Sequence, residues 1–306
     1  MNMPMSGPNA AQALTWWPAP AKLNLFLQVT GRAADGYHRL QTLFQLIDHC
    51  DRIGVGVRTD GRIERPAGPA GVAPEQDLAV RAASLLKRHC GVALGADLRV
   101  VKRIPAGGGL GGGSSDAATV LLALNQQWDT GLTVPQLAVL GLELGADVPL
   151  FVHGSSAWGE GRGERLAPMH LPQCWFLVIH PGIAVSTAEV FQAPELTRNS
   201  PIITIPAFSA VRVGNACEPV VRARYPEVAE ALDWLAGQLD ASAPDSRARM
   251  TGTGSCIFAG FERAEDAERV AARVPDRWRC FVARGLDRSP VHALLEGRDD
   301  WGVAKW

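Results

Sequence analysis

Twelve consecutive residues concentrate the chemistry of this chain: Pro105-Ala106-Gly107-Gly108-Gly109-Leu110-Gly111-Gly112-Gly113-Ser114-Ser115-Asp116. Six glycines in seven positions let the backbone approach a ligand closely and take positive φ. Behind them, Ala117, Leu121, Leu124 and Trp128 repeat at helical spacing, so the run sits at a helix start. Unpaired N–H groups and the positive end of the helix dipole attract anions there. The chemistry implied is a phosphate cradle, with the Ser114 and Ser115 hydroxyls placed to meet phosphate oxygens or a metal ion. The plain alternative is a flexible turn with Ser114 or Ser115 as an ordinary helix N-cap. Two better-known loops fit poorly. A Walker A loop needs Lys before its Ser/Thr, and Gly113 holds that position. A dinucleotide fingerprint is formally met by Gly107, Gly109 and Gly112 with Asp129 as the acid, but Asp129 reads as part of a polar turn after the helix. A dehydrogenase therefore ranks last.

Several elements must position this loop. From Leu23 the sequence alternates as in a half-buried strand, with Leu23, Leu25, Leu27 and Val29 on one face. Lys22, Asn24, Phe26, Gln28 and Thr30 fall on the other. Residues 1–17 read as a frayed start, and Asp35-Gly36 as a turn. Arg52 to Arg58 reads as a strand, Leu78 to Cys90 as a helix, and Leu98 to Ile104 as a strand entering the glycines. A helix near Pro135 to Leu144 should stop at Gly145, and the polar, glycine-rich Gly159 to Arg165 marks an edge of the first domain. Beyond it come a buried strand over Trp175 to Ile179 and a helix carrying Val228, Leu232, Leu235 and Leu239. A glycine turn at Gly252–Gly254 then precedes a strand over Ile257 to Phe261. Strands and helices mix without strict alternation, which predicts an α+β fold in two lobes, residues 1–166 and 167–306.

Composition narrows the partners. The 306 residues are 47% hydrophobic and 20% charged, a globular balance rather than a disordered one. Thirty Lys+Arg against 31 Asp+Glu leave a net charge of -1, so no nucleic-acid partner is indicated. The six cysteines lie far apart without a Cys-x-x-Cys pair, which excludes a local zinc ribbon or redox pair and predicts reduced thiols. The first 21 residues carry no charge and so lack a basic leader, and no apolar run is long enough to span a bilayer. A cytoplasmic protein with no membrane partner is expected; oligomeric state is not indicated.

Pro105 to Thr119 resembles the phosphate-binding motif of the GHMP kinases. Pro20-Ala21-Lys22-Leu23-Asn24 resembles the family's first motif and Met250-Thr251-Gly252-Thr253-Gly254-Ser255-Cys256 its third, in the right order over nearly the whole chain. The resemblance implies a ribosomal S5-like N-terminal lobe, a ferredoxin-like C-terminal lobe and an active site between them. It implies ATP-dependent phosphorylation of an alcohol with Mg²⁺, whose ligands stay open beyond Ser114 or Ser115. Pro105, Gly107, Gly108, Gly109, Gly111, Gly112, Gly113, Ser114 and Ser115 would hold ATP, with Lys102 on its adenine or phosphate side.

Asp147 matches the family's catalytic aspartate and Lys22 the lysine beside it. A carboxylate in reach of the acceptor hydroxyl takes its proton, and an ammonium keeps that carboxylate ionised. Without the resemblance, Asp147 reads as a helix N-cap and Lys22 as a solvated strand-edge lysine. The segments Ala34 to Phe44, Gly145 to Phe151 and His180-Pro181-Gly182 are similar to one branch of the family. Its acceptor is the 2-hydroxyl of a methylerythritol unit carrying a cytidine diphosphate. That likeness assigns Tyr37 and His38 to the cytosine, Phe191 to base stacking, and Asn24 and Thr187 to substrate hydrogen bonds; each has an ordinary structural reading as well. Another GHMP kinase, such as homoserine or mevalonate kinase, is the alternative, under which Tyr37-His38 would lack a role. A catalytically silent nucleotide-binding regulator is a further alternative, opposed by the retention of Lys22 and Asp147.

Overall fold

The computed structural model describes residues 14–34, 36–205, 214–239 and 247–297. Two long strands organise it: β1 (Thr15–Arg32) and β2 (His38–Arg58), paired antiparallel over nearly their full lengths. The first strand starts well before Leu23, and Trp17, expected to be frayed, is buried in the core. Asp35 of the expected turn lies outside the described residues.

The alternation expected along β1 does not survive. Register shifts between Pro20 and Ala21 and between Asn24 and Phe26 interrupt the pleat, and a bulge moves subsequent side chains to new directions. Leu23, Phe26, Leu27 and Val29 are all buried, in three different apolar clusters. A strand covered on both sides has no solvent face for a period of two to mark. Lys22 and Asn24 lie between the two shifts and are buried as well, so Lys22 is not a solvated edge lysine.

Around this pair the chain adds β3 (Ile63–Ala67), α1 (Leu78–Cys90) and β4 (Gly95–Val101). Then follow α2 (Gly112–Gln127), α3 (Val134–Leu142), α4 (Val148–His153) and the hairpin β5 (Ala157–Gly161) and β6 (Arg165–Pro168). The second half contributes β7 (Trp175–His180), α5 (Thr187–Gln192), α6 (Glu218–Arg224) and α7 (Pro226–Ala236). Short β8 (Arg249–Met250), β9 (Ile257–Phe261), α8 (Ala264–Ala271), β10 (Arg279–Leu286) and α9 (Pro290–Leu295) complete it.

The strand order β3-β4-β2-β10-β7-β9-β8 is antiparallel except at β3–β4, which is not the parallel doubly wound sheet of a dinucleotide-binding fold. Asp129, the acid that such a fold would need, sits in a turn at φ 50°. Helix α2 is buried from Ser115 through Leu124, more completely than one apolar stripe implies, with Ala117, Ala118 and Ala123 allowing close approach on several sides. Gly159 to Arg165, read as a boundary, forms the β5–β6 turn, and β5 pairs with β2.

Two larger apolar clusters form. One gathers α1, α2, α3 and α4 against β2 and β4 and includes Leu286 and Val291; the other packs α5, α6 and α7 on β7 and β9 and includes Leu27 and Val29. A smaller cluster of Ala21, Leu23, Ile104, Leu110, Phe176 and Cys256 joins them beneath the glycine run. All six cysteines are free. Among the described residues, no helix is long and apolar enough to cross a membrane.

Candidate active site

The glycine run is held by its exception. Leu110 is buried in the joining cluster, while Gly107, Gly109 and Gly111 take φ of 68°, 74° and 72°, a region that costs other residues about 1–2 kcal/mol. Backbone bonds suture the run on both sides: Lys22 N donates to Leu110 O at 3.0 Å, Ser255 N to Gly107 O at 3.2 Å and Cys256 N to Gly108 O at 3.1 Å. The turn of the third motif therefore packs on the loop. A methyl group on Gly109 would run into Thr251 O, and one on Gly108 would come 2.5 Å from Cys256 Sγ. Both places have room only for glycine or a moved neighbour.

Gly111 is the N-cap of α2, and the helix begins inside the glycine run. Ser114 and Ser115 are thus helical residues and not caps. Ser115 Oγ is buried without a protein hydrogen-bond partner, and the first-turn amides of Gly112 and Gly113 have no side-chain cap. Uncapped amides, an unsatisfied hydroxyl and a backbone cleared of Cβ atoms fit a bound phosphate chain and its metal ion.

Lys22 and Asp147 meet beside this loop. Lys22 Nζ is 3.6 Å from Asp147 Oδ2 and donates to Asn24 Oδ1 at 2.5 Å. It also lies 5.6 Å from the centre of the Phe44 ring. Asn24 Nδ2 donates to Thr42 Oγ1 at 2.8 Å, Thr42 Oγ1 to Phe26 O at 2.6 Å, and Asn24 N to Thr251 Oγ1 at 3.0 Å. This chain of bonds fixes the ammonium from behind. Asp147 occupies the N-cap position of α4 but caps nothing, and its side chain keeps 32% exposure against 4% for Lys22. The carboxylate can therefore meet a solute that the ammonium cannot reach from solvent. A methyl group on Gly111 would lie 3.2 Å from Lys22 Cε and 2.8 Å from the Phe151 ring of α4, and one on Gly145 would lie 3.8 Å from Ser114 Oγ. Loop, Lys22 and the Asp147 segment thus converge from three distant stretches of chain.

Lys102 bonds to Asp51 and, at 2.7 Å, to Asp116 Oδ2. Asp51 also accepts from Arg103 N at 2.5 Å and Ile104 N at 2.8 Å. Burial opposes the charge of Lys102, but Asp116 and Asp51 outweigh it and raise its pKa. Burial likewise pushes Asp116 far above the carboxylate range, with Lys102 opposing and Asp51 adding to the rise. Nζ sits 3.2 Å from the Cβ position of Gly112, directly under the first turn of α2. Asp51 and Asp116 were not among the residues singled out from the sequence, although Asp116 directly follows Ser115.

The nucleotide-side residues form a second group. The His38 ring stacks on Phe191, centroids 5.1 Å apart and planes 26° apart, while the Tyr37 ring lies under the Arg162 guanidinium at 3.7 Å. Thr187, in the first turn of α5, shares a 2.8 Å hydrogen bond with Thr253 of the third-motif turn. A cavity of about 620 Å³ opens between Tyr37, His38, Gln41, Glu160, Arg162 and Arg165; neither Lys22 nor Asp147 lines it. Arg198, which reaches His38 from beyond α5, carried no motif that sequence reasoning could use.

A glycine loop opening a helix lies beside a lysine–aspartate couple on this sheet order, and the comparisons with known proteins agree with a phosphotransferase. The GHMP kinases N terminal domain matches residues 77–155 and the GHMP kinases C terminal domain residues 203–280. The chain belongs to the GHMP kinases, a family of ATP-dependent enzymes, as its three motifs imply. Two curated relatives narrow the comparison, both named 4-diphosphocytidyl-2-C-methyl-D-erythritol kinase. The protein of Halorhodospira halophila is 57% identical over 282 residues, 91% of this chain and 96% of its own length. That of Alkalilimnicola ehrlichii is 57% identical over 284 residues, 93% of this chain and 95% of its own. A crystal structure of 4-(cytidine 5'-diphospho)-2C-methyl-D-erythritol kinase superposes with a TM-score of 0.75 at 35% identity, covering 89% of this chain and 99% of that one.

Proposed function

We propose that this enzyme transfers the γ-phosphate of ATP to the 2-hydroxyl of 4-diphosphocytidyl-2-C-methyl-D-erythritol, a step of the non-mevalonate route to isoprenoid precursors. The observation that carries the reading is the Lys22–Asp147 couple, 3.6 Å apart at the edge of the glycine loop. The names of relatives at 57% identity supply the substrate. Asp147 accepts the hydroxyl proton as the alcohol oxygen bonds to phosphorus and the bond to the ADP oxygen breaks. Lys22, pinned by Asn24 and 3.6 Å from the carboxylate, offsets negative charge on the moving phosphoryl group.

The amides of the glycine run and the first turn of α2 hold the triphosphate, with Ser114 and Ser115 turned to it. Ser114 and Ser115 would hold a Mg²⁺ ion beside the phosphates, where it would supply charge neutralisation. Lys102 supports the ATP side. His38 and Phe191 receive the cytosine, with Tyr37, Asn24 and Thr187 around the rest of the substrate; base stacking on an aromatic ring is worth about 1–3 kcal/mol. We assign the lobes to residues 1–166 and 167–306 and the enzyme to the cytoplasm. ADP release measured with each acceptor tests the reading: turnover is expected with the cytidylated methylerythritol alone, and turnover with homoserine or mevalonate but not with it overturns the assignment.

A further inference from the structure

Arg198 spends its guanidinium on the nucleotide side of the site. Nε donates to His38 Nε2 at 3.0 Å. One Nη donates to Leu196 O at 3.0 Å, and the other to Phe191 O at 3.0 Å and Ala193 O at 2.6 Å. An arginine N–H can only donate, so His38 Nε2 must offer a lone pair. A neutral imidazole with its lone pair on Nε2 carries its proton on Nδ1. The same guanidinium closes the C-terminal end of α5, whose Phe191 ring stacks on that imidazole. One side chain thereby sets the tautomer of His38, the angle of its ring and the place of the ring against it.

We propose that Arg198 is a positioning residue that holds His38 as a fixed Nδ1–H donor and so makes the site prefer cytosine to uracil. The proposal rests on the reading above that His38 meets the base. Cytosine presents an unprotonated N3, which accepts from a donor; uracil presents N3–H, which would face Nδ1–H without a partner. Leaving a polar group unpaired in an enclosed site is the means by which sites reject close analogues. An imidazole released from Arg198 can move its proton to Nε2 and accept from uracil instead. The preference thus depends on a residue that need not touch the base.

Two variants separate this role from simple support. In R198M, ¹⁵N spectra of His38 in the free protein are expected to lose the Nδ1–H pattern of the parent. The ratio of kcat/KM for the cytidylated substrate to that for its uridine counterpart should fall about tenfold, a size typical of one good base-edge contact. KM should carry the change, with kcat and the KM for ATP little altered. R198K retains one donor for Nε2 but loses the bonds to Phe191 and Ala193, and is expected to keep the tautomer and most of the preference. Equal losses in R198M and R198K, or a parental His38 spectrum in R198M, overturn the proposal. If the parent enzyme ignores the cytidylated substrate, the proposed function falls and the base preference with it. The His38 spectrum involves no substrate and tells the two failures apart.

Discussion

Lys22 is an ammonium with 4% of its side chain exposed, and burying a charge costs several kcal/mol unless it is paired and hydrogen-bonded. Asn24 and Asp147 meet that cost on two sides, so the pair is held in place before any substrate arrives. Replacing Asp147 with Asn removes the proton acceptor while keeping its shape. The kcat of that variant is expected to fall about 10²–10⁴-fold, with KM for ATP nearly unchanged, in steady-state assays; undiminished turnover would remove Asp147 as the proton acceptor. His38 answers to pH. Burial, then the Arg198 and Arg32 cations, hold it below the usual histidine value of 6.5. Unfolded chains therefore take up this proton first as pH falls, and stability tied to the neutral ring is complete above 6.5 and lost on approach to the lowered folded value. Protonation also removes the lone pair that Arg198 uses. KM for the nucleotide-bearing substrate should hold steady down to about pH 6.5 and rise below it, while KM for ATP does not change, as initial rates at each pH would read.

At the scale of elements, the glycine loop was legible because its composition has few other uses. Its position ahead of a helix followed from the spacing of Ala117, Leu121 and Leu124, and α1 and β9 fall where the apolar pattern puts them. The β1 strand was legible but its burial was not, because three register shifts and cover on both faces uncouple the alternation in the sequence from exposure. Nor were Asp51 and Arg198: each acts through partners at least 50 residues away in sequence, Lys102 for one and His38 for the other. Under the loop, Asp116 has one oxygen without a hydrogen-bond partner and shares Lys102 with Asp51. Its folded pKa is raised, so the unfolded chain gives up this proton first as pH rises, and stability declines toward the raised folded value. Asn at this position can still accept from Lys102 but cannot ionise. Thermal melts should show Asp116→Asn losing less between pH 6 and pH 9 than the parent, by about 2–4 °C; an equal or larger loss would mean that Asp116 stays charged.

The whole molecule is tied together by exchange between its halves. Leu27 and Val29 of β1 lie in the cluster of the second half, and Leu286 and Val291, near the end of the described chain, lie in that of the first. A fragment ending at residue 166 lacks both late residues and exposes the apolar surface that they cover. Such a fragment is expected to melt without a cooperative transition, whereas the full chain melts in one; calorimetry distinguishes the outcomes, and a sharp fragment transition would show that the lobes fold alone. The crossing also sets a timetable for synthesis. Because β10 and α9 emerge from the ribosome after the elements that they cover, the surface prepared for them waits uncovered until then, and a stalled or clipped product would leave it open to aggregation.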